Sequence, residues 1–281
     1  MSSEAKKQSL ADVLADTIRS IAGFVGVIGG LSYITGYLIV NFYLTQYGVA
    51  NLSLVQSRYF ATGALYLIVT VLICGAPLAS IYTADQLSQT NQDTQTRKLM
   101  PVLIGASFLL AIAIIWMCGN LLVNADQFTS YAGSMIQRRY SIWMALPASG
   151  VAALFPFLVY YSLKRIFKSR VLQLTSSDES VWIPATISIL FVICFIISVF
   201  VFSRYAYASA SPSVGGGAPI KVQLVLAQSL SGNQNFPLKN TDGTTEPVIL
   251  IDHSGSELVI LKTENNQVIE LSDNQVISIL H

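Results

Sequence analysis

The chain is short of charge and nearly without histidine. Asp, Glu, Lys and Arg make up 11% of its 281 residues, and the two histidines are His253 and His281. Soluble domains carry roughly 25% charged residues, so most of this chain is not composed to face water. Five stretches, 21–43, 59–82, 100–123, 143–163 and 182–203, hold no Asp, Glu, Lys, Arg or His. They therefore offer no general base, no paired carboxylates, no metal-binding set and no charge for a proton relay or voltage sensor. The expectation is a protein that is not an enzyme and holds no metal and no cofactor. Charges outside these stretches, such as Asp85, Asp126 and Arg138, read as solvated loop charges. The three cysteines, Cys74, Cys118 and Cys194, fall in three different apolar stretches, so no disulfide framework is available to the remainder.

What is abundant is apolar length. Mean hydropathy is +0.57. The stretch Trp182 to Ser203 sets the scale: at about 1.5 Å per helical residue it reaches about 33 Å, enough for a hydrocarbon core of about 30 Å. Tyr and Trp gather at the ends of the five stretches, among them Tyr43, Tyr59, Tyr82, Tyr140, Trp143, Trp182 and Tyr205. Amphipathic rings favour the headgroup level, so this placement supports the same boundaries independently of hydropathy. The predicted membrane domain is a five-helix bundle over 21–203. Residues 1–20 are expected to be a polar N-terminus leading into an interfacial amphipathic helix, and the first span an uncleaved anchor. Pro156 lies well inside the fourth span, where a proline removes one backbone hydrogen bond and bends the helix, so it is a candidate frame for a cavity.

The first span is rich in glycine. Ala22, Gly26 and Gly30 recur every fourth residue, and Ser32 with Gly36 repeats the interval on an adjacent face. Small residues at that spacing let helix backbones approach closely, which stabilises association inside lipid. These five are the expected helix-packing residues, with another helix of the same chain or a second copy as the partner.

Basic residues set the expected orientation. Lys164, Arg165, Lys168 and Arg170 follow the fourth span, whereas Arg58, Arg138, Arg139 and Arg204 are spread over the opposite flanks. The positive-inside tendency then puts the N-terminus in the cytoplasm and, after five crossings of the cell membrane, the C-terminal domain outside it.

Residues 204–219 have the composition of a flexible linker. Beyond them, apolar runs at 220–227, 247–252, 257–263, 267–271 and 275–280 are separated by turn-forming residues and predict five short strands. Their order, with one long loop at 228–246, resembles the plan of SH3-like barrels, so the tail 220–281 is expected to be a small all-β domain, either such a barrel or a curled sheet. Residues 208–281 carry three Lys/Arg against seven Asp/Glu, and an acidic tail argues against nucleic acid. Two expectations follow. One is a structural or interaction component in the lipid bilayer that presents a β module to a protein partner. The other is a homo-oligomeric passive pore lined by residues such as Ser32, Thr35, Asn41 and Asn120.

Overall fold

A computed structural model describes residues 10–49, 57–90, 94–124, 135–167, 182–227, 238, 240–241, 244–254, 257–262 and 267–280. Five long helices carry the apolar stretches: α1 (Leu10–Leu44), α2 (Ser57–Thr90), α3 (Thr94–Asn124), α4 (Met135–Phe167) and α5 (Trp182–Val201). Each contains a window long and apolar enough to cross a membrane, and no membrane is part of the structure. α1 to α4 are longer than these spans, whereas the fifth span runs past the end of α5 to Ser209. α1 runs unbroken for 35 residues, about 52 Å at 1.5 Å per residue, and takes in residues 10–20 without an interruption. The bundle exposes Phe24, Val27, Leu109, Val151 and Ile189 on its outside, which suits a lipid surround and supports membrane association.

Polar groups inside the bundle pair across helices. Tyr66 of α2 donates to Ser198 Oγ of α5 at 2.7 Å, and Ser198 donates in turn to the Ser149 carbonyl of α4 at 2.8 Å. Such bonds hold helices together where lipid supplies no hydrophobic drive, each worth about 1 kcal/mol. Pro156 is buried within α4, and Phe157 beside it stacks edge-on against Phe191 of α5.

The tail is a curled antiparallel sheet. Its five main strands are β1 (Ile220–Leu226), β4 (Val248–Ser254), β5 (Glu257–Lys262), β6 (Gln267–Ser272) and β7 (Val276–Leu280), falling on the five apolar runs. Two-residue strands β2 (Asn240–Thr241) and β3 (Thr244–Thr245) lie within the expected loop. Curling comes from β1, which is shared. Ile220–Val222 pairs with β4, while Gln223–Leu226 pairs with β7 and Val225 also with β3. Alternation along β1 sends Val222, Leu224 and Leu226 into a core with Val248, Leu250, Ile260 and Leu271.

Candidate functional site: the junction between bundle and sheet

The end of α1, the start of α2, the end of α3, the start of α4 and the end of α5 meet under the sheet. The chain leaving α5 does not open into a free linker. Phe202–Ala206 continues as a turn of π-helix, Tyr207–Ser209 and Pro212–Val214 form short 3₁₀ turns, and Ser209, Ala210 and Ser211 are buried. The expectation of a flexible 204–219 is replaced by a fitted connector. Ser203 Oγ donates to the Ile39 carbonyl at 2.6 Å, the Ser211 amide to the Leu122 carbonyl at 3.1 Å, and Thr62 Oγ1 to the Gly215 carbonyl at 3.1 Å. α1, α3 and α2 are thereby each tied to this one segment.

Gly215 takes a left-handed φ of 81° that favours glycine, whereas Gly216 and Gly217 serve close approach. A Cβ on Gly216 would overlap Ala210, and one on Gly217 would enter the Tyr207 ring, whose own carbonyl accepts the Gly217 amide at 2.8 Å. The same Gly and Ser content describes a coil or a tight turn, and only contact with the bundle distinguishes them.

Arg138 also departs from expectation. It is 8% exposed at the start of α4, and its Nε and Nη2 donate to the Ser209 carbonyl at 3.0 and 2.8 Å. It is a structural cation at the junction, not a solvated loop charge.

The sheet docks through an irregularity. β4 and β5 pair Leu250 with Ile260, then Asp252 with Val259, leaving Ile251 as an extra residue. Bulges re-aim side chains. Here Ile251 and Val259 join the buried cluster of Tyr43, Phe202 and Tyr207 in the bundle, while Leu250 and Ile260 stay in the sheet's own core. Burying an aliphatic side chain stabilises by about 1.5–3 kcal/mol, so this pair contributes a substantial share of the docking. Asp252, next along, forms an ion pair with Arg58 of α2, the two side chains being 11% and 23% exposed. Arg58 also lies 5.6 Å from the Tyr59 ring centroid.

A cleft of about 340 Å³ lies between bundle and sheet, walled by Arg58, Thr62, Tyr207, Gly217, Asp252 and His253. Among the described residues no cluster of His, Cys, Asp or Glu has a metal-binding arrangement.

The expected helix-packing residues separate into two sets. Ser32 and Gly36 form a close crossing with α2: a Cβ on Gly36 would overlap the Tyr59 carbonyl, and one on Gly63 would overlap the Ser32 carbonyl. Tyr33 and Tyr37 flank it, each edge-on to Tyr59 at 5.8 and 5.4 Å. Ala22, Gly26 and Gly30 are exposed, and a Cβ on Gly26 or Gly30 would meet nothing within 4 Å. Lys164 and Arg165 lie in the last turn of α4, whereas Lys168 and Arg170 fall outside the described residues. Of the polar residues considered for a pore, Ser32 and Thr35 are buried, and the Asn41 and Asn120 side chains each donate to a carbonyl four residues back in their own helix.

Sequence reasoning overlooked Gly63, the Asp252 partner of Arg58, and the role of Arg138. Gly63 had a signal, being a glycine one helical turn from Tyr59 within the small-residue run Ala61, Thr62, Gly63, Ala64. The ion pair had none, because its members are 194 residues apart. No family model matches the chain, and neither does any curated protein or any solved structure.

Proposed function

We propose that the chain is a multi-pass integral membrane protein that works as an interaction component, holding its small β module in a fixed pose for a protein partner. The N-terminus is cytoplasmic and the module sits outside the cell membrane. The observation that carries this reading is the mounting of the module: a connector bonded to α1, α2, α3 and α4, an aliphatic pair sunk into the bundle, and the Arg58–Asp252 bridge. A flexible tether would need none of these. The closing of β1 on β7, with a 3₁₀ turn at Asp273–Gln275 before β7, supports an SH3-like barrel for the module. Its outer face offers Ile277, 67% exposed.

Two measurements test the reading. In a background lacking Cys74, Cys118 and Cys194, Ser213→Cys should label in intact cells and Ser88→Cys should not. The reverse pattern removes the orientation. A photo-crosslinking residue at Ile277 should give one adduct of defined mass in native membranes. Adducts from Phe24 but never from Ile277 would defeat the module as the contact surface.

The pore reading draws on one observation, the uncovered Ala22–Gly26–Gly30 face of α1, which is open to a second copy. A monomeric native mass with no ion flux in liposomes eliminates it.

A further inference from the structure

We infer that the cleft beneath the β module binds a zwitterionic headgroup carrying a primary ammonium and a phosphate, the chemistry of phosphatidylethanolamine. The inference rests on the reading that the helices cross a bilayer and extends it to a lipid.

Depth comes first. Tyr205, 46% exposed, and the partly exposed Tyr47 lie at the end of the helices that carries the cleft. Tyrosines concentrate at headgroup level, so the cleft faces headgroups rather than acyl chains or bulk water.

Charge selects the class. The walls present one guanidinium and one carboxylate, already paired and both largely shielded. A purely anionic ligand would draw on Arg58 and set a second negative charge beside Asp252. A purely cationic ligand would do the converse to Arg58. In a poorly solvated site either arrangement leaves a charge uncompensated, which is strongly unfavourable. A ligand with both charges completes a quartet without opening the pair, its phosphate toward Arg58 and its ammonium toward Asp252. A guanidinium has five N–H donors and a carboxylate about four acceptor sites, so each can serve two partners. A primary ammonium can donate to Asp252 and a trimethylated one cannot, which favours ethanolamine over choline.

Shape agrees. At about 340 Å³ the cleft is at the lower end of ordinary small-molecule sites. Gly215, Gly216 and Gly217 line it beside Tyr207, and Ile220 and Ile279 supply an apolar margin for the glycerol end.

The test uses the full chain in nanodiscs and native mass spectrometry, with phosphatidylethanolamine, phosphatidylcholine and phosphatidylglycerol of identical acyl chains in equal amounts. We expect retained phosphatidylethanolamine to exceed each of the others about tenfold, the scale of one charge-assisted hydrogen bond. Asp252→Asn should reverse the preference toward phosphatidylglycerol, a change of sign that a purely structural role would not produce. Should Asp252→Asn lose the fold, His253→Trp at the exposed mouth leaves the ion pair intact and should lower phosphatidylethanolamine retention without reversing the order. Equal retention of the three lipids, or a preference that both variants leave unchanged, overturns the inference. Displacement by an equal concentration of soluble glycerophosphoethanolamine overturns the assignment to a membrane lipid, and retention against it supports that assignment. A chain that never enters bilayers defeats the membrane reading and this inference together, whereas one that enters without selectivity defeats the inference alone.

Discussion

Two parts of α1 carry the same kind of sequence and meet different surroundings. Ala22, Gly26 and Gly30 repeat a small residue every fourth position, and so do Ser32 and Gly36. The second set is locked backbone to backbone against Tyr59 and Gly63 of α2, while the first is exposed, with no neighbour within 4 Å of a Cβ built on Gly26 or Gly30. Spacing marks where a helix can be approached closely. Whether it is approached depends on a matching gap in a second helix, and Gly63 supplies that gap only for the second set. The reciprocal overlap makes the point: each glycine is needed because the other helix's carbonyl occupies its Cβ position.

The contrast breaks most sharply at Gly63. Gly63→Leu must push α1 and α2 apart along their closest crossing, because the obstruction is backbone and cannot change rotamer. Overpacking a fitted core costs about 1–3 kcal/mol and more where backbone must move, so a loss of at least about 3 kcal/mol is expected. Thermal unfolding in detergent measures it. Gly36→Leu should match within error, and a neutral result at either position would show that the crossing is looser than drawn.

The connector at the opposite end of the same principle gives the next effect. Gly217→Val places a branched side chain in the Tyr207 ring, and Arg138→Gln removes the charged donor to the Ser209 carbonyl. Hydrogen bonds to charged groups contribute about 1.5–3 kcal/mol, and each variant should lose roughly that. The readout specific to the junction is amide exchange at Ala218, whose N–H is bonded to the Ala210 carbonyl at 3.0 Å. Faster exchange there, with α3 unchanged, indicates undocking of the sheet and not unfolding of the bundle.

The apolar helices and the strand runs were legible because hydropathy and alternation are local: Trp182 to Val201 reads as a helix and Ile220 to Leu226 as a strand with no knowledge of neighbours. The junction was not. Gly215, Gly216 and Gly217 look alike in a free coil and in a turn pressed against Tyr207, and Arg138 looks like any arginine between two spans. The bulge at Ile251 was hidden for a related reason. In the sequence, Val248 to Ile251 is an unbroken apolar run that does not say which side chain leaves the sheet's core for the bundle's. What decides these positions is contact with residues far away in the chain, as with Arg58 and Asp252.

The smallest expected effect falls on the uncovered half of α1, and its smallness is informative. Gly26→Leu adds a side chain where nothing lies within 4 Å, so a single chain has no contact to lose and its stability should change by no more than about 0.5 kcal/mol. Phe24, Val25 and Val27 beside it are already exposed, so one more aliphatic group does not alter the character of the surface. The measurement that gives the result meaning is the native mass alongside the unfolding curve. An unchanged curve with an unchanged mass leaves this half of α1 facing lipid. A loss comparable to that of Gly63→Leu, accompanied by a fall in oligomer size, would mean that a second copy occupies the face, and the difference between the two sets of small residues would then be one of partner rather than of packing.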